Sequence, residues 1–110
     1  PGATFESLRE AVQGVLDRHG YAKYQMHGVS HYVGMSTHDV GDSIAFEPGV
    51  VVAVEPGIYI PERNLGIRIE DTVLVTKNGC EVLTKEVPKE IRDIEALMSE
   101  KHLQNAVGKE

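Results

Sequence analysis

The uninterrupted apolar run Val50-Val51-Val52-Ala53-Val54 constrains the fold more than any other feature of this chain. Branching at Cβ favours extended backbone, and a run with no polar alternation reads as a strand covered by protein rather than half in water. Such a strand needs partners, and the sequence offers them nearby. Residues 67–76, rich in Ile and Val, read as a second long strand. Lys77-Asn78-Gly79 reads as a hairpin turn, with Asn-Gly taking the positive φ that such turns use. Residues 81–84 then form the returning strand. Pro56-Gly57 bends the chain after the first strand, Ile58-Tyr59-Ile60 continues extended, and residues 61–66 form a loop.

Amphipathic segments flank these strands. In residues 4–19, Phe5, Leu8, Val12, Val15 and Leu16 fall at helical spacing, with Glu6, Arg9, Glu10, Asp17 and Arg18 on the other side. Thr4 suits the N-cap and Gly20 the position just past the C-terminus. A second helix is expected from Lys89 to about His102, opened by Pro88, with Ile91, Ile94, Leu97 and Met98 as its stripe. Residues 21–41 show no long period and read as short extended pieces joined by glycines, and residues 42–49 as a polar link ending in a turn. The fold class is α+β: a curved, mostly antiparallel sheet with helices packed on one face. One folded unit over residues 1–103 and a disordered tail over 104–110 are expected.

With 110 residues, the chain fits one small domain or part of a larger one. Its 17 acidic and 11 basic residues give a formal charge of −6, which repels phosphate backbones and anionic lipid. Neither a nucleic-acid nor a membrane partner is expected, and no apolar run approaches the ~20 residues of a membrane span. The single cysteine, Cys80, forms no intrachain disulfide; with no visible signal pattern, it suggests a cytoplasmic setting.

Three elements carry chemistry. Glu55 ends the buried run, where an ionised carboxylate needs a cation or hydrogen-bond donors; the plainer reading is a Glu that simply surfaces where the strand stops. In Ile67-Arg68-Ile69-Glu70-Asp71, strand alternation puts Ile67 and Ile69 on one face and Arg68 and Glu70 on the other. An ordinary exposed ion pair explains that pattern equally well. His27, His31 and His38 share one glycine-broken stretch, and spacing alone does not decide what they do. Jointly, imidazoles and strand-borne carboxylates on neighbouring segments suit a borderline divalent metal such as Mn, Co, Fe or Zn.

His27-Gly28-Val29-Ser30-His31, His38-Asp39-Val40-Gly41, Val54-Glu55-Pro56-Gly57-Ile58-Tyr59 and Gly66-Ile67-Arg68-Ile69-Glu70-Asp71 occur in the order and context of the aminopeptidase P and prolidase family. The resemblance runs from about residue 4 to residue 98. It implies the C-terminal half of a pita-bread fold holding two divalent ions, manganese first and cobalt, zinc or iron as alternatives. It implies His31, Glu55 and Glu70 as metal ligands, with Glu70 bridging. Glu55 would also take the proton of the attacking water, His38 would stabilise the tetrahedral intermediate, His27 would line the substrate pocket and Arg68 would steady a ligating carboxylate. The implied substrate is a peptide with proline in second position, and the implied assembly a homo-oligomer.

This sequence departs from the family pattern in one respect. Two further aspartate ligands come from the first half of that fold, and no residue here aligns with them. The expectation is a fragment with three of five ligands and little activity alone. The alternatives are an Xaa-Pro dipeptidase (prolidase) and a non-catalytic pita-bread domain that binds peptides or proteins.

Overall fold

The computed structural model describes residues 1–42 and 44–99. In chain order these form α1 (Phe5–Arg18), β1 (Ser30–Tyr32), β2 (Val51–Val54), β3 (Gly57–Ile60), β4 (Leu65–Arg68), β5 (Asp71–Thr76), β6 (Gly79–Val82) and α2 (Ile91–Ser99). Short 3₁₀ turns lie at Ala22–Tyr24 and Pro61–Arg63. The apolar run becomes β2, an inner strand of a four-stranded sheet ordered β1-β2-β5-β6, every pair antiparallel. Adjacent residues of β2 point to opposite faces, yet Val52 is 2% and Ala53 1% exposed. Burial on both faces explains why the run lacks polar alternation.

The core gathers Phe46, Val52 and Val75, with Phe5 and Leu8 of α1 and Ala3, Tyr32, Val54 and Val73 packed around them. Phe5 meets the rings of Tyr32 and Phe46 edge-on, at centroid distances of 4.8 and 4.9 Å. Such contacts add to the burial of area. Helix α1 reaches this position with its ends fixed. Thr4 and Ser7 form a reciprocal capping pair at its start. At its end Gly20 takes φ 75° and the Tyr21 N–H donates to the Leu16 carbonyl, closing the helix as expected.

Four expectations change. Residues 67–76 are not one strand: β4 pairs with β3 in a separate two-stranded sheet, and β5 pairs with β2 in the main one. Proline has no N–H for a ladder, so hydrogen bonding lapses at Glu55-Pro56. The Ile69 N–H still donates to the Pro56 carbonyl at 3.3 Å. The hairpin loop is Lys77-Asn78, since Gly79 already pairs with Thr76. Neither Asn78 nor Gly79 takes positive φ, which among non-glycine residues of the described chain is found only at Asn64. The link over residues 42–49 is not merely polar, because Phe46 is 4% exposed and joins the core. Its N–H donates to the Ala3 carbonyl at 2.7 Å, and its carbonyl accepts from Gly2 at 2.9 Å.

The fourth change concerns α2. It starts at Ile91 rather than Lys89, and Ile91, Ile94, Leu97 and Met98 stay exposed among the described residues. Of the two helices, α1 is the one whose apolar side chains pack on the sheet core. The expected helix end at His102, the boundary at 103 and the tail 104–110 lie outside the described residues.

Phe46→Ala should destabilise the fold by about 3–5 kcal/mol, the usual cost of deleting a buried aromatic side chain. Thr4→Ala should cost about 1 kcal/mol through the lost cap. Urea unfolding of the two variants beside the unaltered chain measures both. A smaller loss at Phe46 than at Thr4 would contradict this placement of the core.

Candidate metal centre

The lapse in hydrogen bonding falls at the residues that carry chemistry. On one side of it Val54 pairs with Asp71, and on the other Gly57 pairs with Arg68. Two residues separate these pairs on each strand, so the register is continuous and Glu55 lies opposite Glu70. Like charges directly opposite each other on paired strands repel. Arg68 approaches from β4, its Nε 3.9 Å from Glu55 Oε2, but its side chain is 53% exposed, so water screens its charge.

His31 comes from β1, where it pairs with Ala53. Its Nδ1 lies 2.8 Å from the Tyr32 carbonyl oxygen. That oxygen only accepts, so Nδ1 carries the proton in neutral imidazole and Nε2 presents a lone pair. Nε2 faces Glu55 Oε1 at 3.3 Å, with both side chains largely buried. Two acceptors facing each other at this range call for a cation or a proton between them.

His38 is exposed and is brought over His31 by the chain folding back on itself. The Asp39 N–H donates to the Tyr32 carbonyl at 3.3 Å, forming a one-residue bridge between these positions. Gly34 lies against the Asp39 side chain, whose carboxylate oxygen would sit 1.7 Å from a Cβ there and would have to move aside. Gly41 similarly leaves room for the Tyr32 ring, 2.2 Å from its would-be Cβ. The His31 and His38 rings meet edge-on at 4.6 Å. One donor atom from each of His31, His38 and Glu55 lies within 4.8 Å of the others.

His27 stands beside this group with both nitrogens engaged. Nδ1 donates to the Gly28 carbonyl at 2.6 Å, and Nε2 accepts from the Tyr59 hydroxyl at 2.9 Å. Two hollows meet here. One, of about 550 Å³, is lined by His31, His38, Glu55, Arg68, Glu70 and Thr72 among others. The other, of about 340 Å³, adds His27, Gly28 and Ser30 and shares His31, His38, Glu55 and Arg68. All the site residues expected from sequence thus border one region, with His27 on its flank. Ile67 and Ile69 turn away to line an apolar hollow with Leu16 of α1, as alternation required. Sequence reasoning missed Thr72, which follows Arg68 and Glu70 at the same two-residue spacing.

The donor set fits a divalent cation. Ligand atoms about 2.1 Å from one ion stand about 3.4–3.6 Å apart in a tetrahedral or trigonal set; His31 and Glu55 already meet that spacing at 3.3 Å, and the widest separation in the trio, within 4.8 Å, has to close by about 1 Å. The His31 tautomer, fixed by the Tyr32 carbonyl, is the one that ligates through Nε2.

Immediately after Glu70, Asp71 turns towards other partners. It accepts from the Thr84 hydroxyl at 2.6 Å and from Lys89 Nζ at 3.0 Å. Lys89 also reaches the Thr84 and Val87 carbonyls, each at 3.3 Å. This clamp fixes the backbone next to Glu70 and ties down the connection to α2.

The chain matches Metallopeptidase family M24 over residues 1–77. It is similar to the Xaa-Pro aminopeptidase of Haemophilus influenzae, with 41% identity over 105 residues, 84% of this chain and 24% of that protein. In structure it is similar to the prolidase of Pyrococcus horikoshii, with a TM-score of 0.74 and 38% identity over 83% of this chain and 27% of that one. It is also similar to E. coli aminopeptidase P solved with the inhibitor Pro-Leu, with a TM-score of 0.70 and 36% identity over 94% of this chain and 31% of that one. The α+β arrangement is therefore that of the pita-bread peptidases, and the chain spans about a quarter of the length of these relatives.

The Asp71 clamp has a pH signature. The carboxyl is held below its ordinary range, first by the Thr84 hydroxyl and then by Lys89. A carboxyl depressed in the folded state adds stability above its unfolded value near 4 and loses it as the pH falls through the folded value. The stability advantage of the unaltered chain over Asp71→Asn should therefore shrink on acidification below about pH 4. Thermal unfolding of both across that range tests this; an advantage constant with pH would refute the clamp.

Proposed function

The chain belongs to metallopeptidase family M24, and from that premise we propose that it contributes His31, Glu55 and Glu70 to a dinuclear centre that hydrolyses the peptide bond preceding proline. The observation that carries the reading is the cross-strand opposition of Glu55 and Glu70 beside the His31 lone pair. Carboxylates so placed repel each other unless cations lie between them. The two remaining ligands, aspartates, are assigned to the rest of the protein. Four carboxylates and one imidazole make an oxygen-rich set, which suits manganese ahead of cobalt, zinc or iron. Bound divalent metal would supply Lewis-acid polarisation of the scissile carbonyl and acidify a water.

The chain's own residues complete the chemistry. Glu55 takes the proton of the attacking water. The exposed imidazole of His38, on the rim of the hollow, donates to the oxygen that gains charge in the tetrahedral intermediate. Arg68 steadies the Glu55 carboxylate from 3.9 Å. His27, locked by Tyr59 and Gly28, forms a fixed wall of the substrate pocket.

Relatives on either side of the choice are Xaa-Pro aminopeptidases and prolidases. The short connections from His38 to Glu55 and from Tyr59 to Gly66 favour the aminopeptidase, acting on peptides with proline in second position. The complete protein is taken to be a homo-oligomer. Exposed free Cys80 suits the reducing cytoplasm.

In the complete protein, Glu70→Gln should remove bound metal and lower kcat/KM for an Xaa-Pro-Xaa tripeptide by about a hundredfold or more. Metal content and hydrolysis measured together test this; an active, metal-replete variant refutes the centre. On a peptide panel, cleavage confined to Xaa-Pro dipeptides would replace the aminopeptidase by the prolidase reading. The 110-residue chain alone should show no enzyme-like hydrolysis of either substrate.

A further inference from the structure

The proposed site uses His27 as a fixed wall, yet the backbone that carries His27 belongs to no strand. Residues 25–28 lie between the 3₁₀ turn Ala22–Tyr24 and the start of β1. We infer that Gln25 is a positioning residue for the substrate pocket: its side-chain amide holds the His27 peptide group and so sets where the imidazole stands. This placing role rests on the reading of His27 as a pocket wall and deepens it.

The amide Nε2 of Gln25 donates to the His27 carbonyl, two residues further on. The next carbonyl, that of Gly28, accepts from His27 Nδ1 at 2.6 Å. The one after, that of buried Val29, accepts from the Glu55 N–H at 2.8 Å. Successive carbonyls are thus satisfied from His27 to Val29, and only the last by a backbone donor. Two side chains do for this segment what a ladder does for a strand. Gln25 is itself anchored, since its N–H donates to the Ala22 carbonyl at 3.2 Å and the 3₁₀ turn packs against β3.

The amide has one orientation open to it. Its Oε1 is buried and meets no donor among the described residues. Turning the amide over would set that oxygen against the His27 carbonyl oxygen, two acceptors with no proton between them. A buried acceptor left unpaired is costly, so packing alone would favour an apolar side chain of the same length. What the amide adds is the bond to His27. The imidazole has little slack at its other end. A Cβ on Gly57 would stand 2.7 Å from His27 Nε2, so the ring lies directly on the β3 backbone, with Tyr59 edge-on at 5.4 Å. With Nδ1 and Nε2 both engaged inside the chain, the ring offers substrate its carbon edge and no proton. Its contribution is shape, so displacing it should raise KM and spare kcat.

Steady-state kinetics of the complete protein on an Xaa-Pro-Xaa tripeptide test this. Gln25→Met, similar in length and without a donor, should raise KM about three- to tenfold, the usual worth of one hydrogen bond, with kcat within about twofold. Gln25→Glu keeps the shape but sets a carboxylate against the carbonyl. It should raise KM further at neutral pH, and the excess should shrink on acidification as the carboxyl gains a proton to donate. In a His27→Ala background, where no ring is left to place, Gln25→Met should add nothing. If His27→Ala raises KM while both Gln25 variants keep the unaltered value, the inference is overturned and the pocket wall stands. Effects at Gln25 and His27 that simply add overturn it equally. An unaltered KM in His27→Ala sinks the wall itself and this role with it. Should Gln25→Met not fold, Gln25→Glu decides alone: a KM ratio to the unaltered protein that is constant with pH overturns the inference.

Discussion

The repulsion between two carboxylates organises the functional end of this molecule. Glu55 and Glu70 occupy opposed positions on paired strands, at the point where Pro56 removes an N–H from the ladder. The charges alone would favour parting the strands. The backbone prevents it, because the Ile69 N–H reaches the Pro56 carbonyl at 3.3 Å. The strand pairs on both sides keep the same register across the gap. Acidic side chains are thus held together by main-chain bonds that do not depend on their charge, which is the condition for presenting them to a cation. Among the described residues the Arg68 guanidinium, half-exposed and 3.9 Å away, is the basic chain that approaches Glu55, so the arrangement is costly as a purely structural device.

Rigidity behind the site comes from β2. Val52 and Ala53 are buried on opposite faces, and Val54 packs against the core one residue before Glu55. A side chain at the end of such a strand inherits its fixed position. On the neighbouring strand His31 pairs with Ala53, so imidazole and carboxylate are set by one short stretch of ladder. The clamp of Thr84 and Lys89 on Asp71 does the same for the backbone that follows Glu70. Groups expected to hold metal stand on a strand or at strand ends, whereas His38, the proposed donor to the intermediate, stands on a loop joined to β1 by the Tyr32–Asp39 bridge.

Much of this was legible in sequence, and the failures have physical causes. The β2 run, the ends of α1 at Thr4 and Gly20, and the shared face of Arg68 and Glu70 all follow from local rules. Alternation survives the break between β4 and β5 because the register of the two strands is the same on both sides of residues 69 and 70. The break itself depends on what Pro56 does to the opposite strand, a non-local effect invisible in residues 67–76. Phe46 was missed because a single apolar residue in a polar segment has no period; its burial is set by main-chain bonds to residues 2 and 3. Asn78-Gly79 signalled the hairpin correctly but not its backbone, since the pairing of Thr76 with Gly79 moves the loop one residue back. The stripe of α2 was read correctly as a stripe, yet an amphipathic pattern does not say where its cover lies.

The motif around Glu55 and Glu70 explains why a quarter-length chain can carry so much of a site's geometry. Ligands on a hairpin-like pair of strands need only short-range pairing to converge, and here the loop from Ile60 to Leu65 closes that pair over a few residues. The loss of entropy on closing so short a loop is small and changes slowly with length. The aspartates of the proposed centre, coming from another part of the protein, would need the whole domain to form first. In the proposed centre the ligand set is divided between two tasks: the strand pair fixes the direction of Glu55 and Glu70, with His31 set beside them by β1, and completion of the domain sets the affinity and the number of ions.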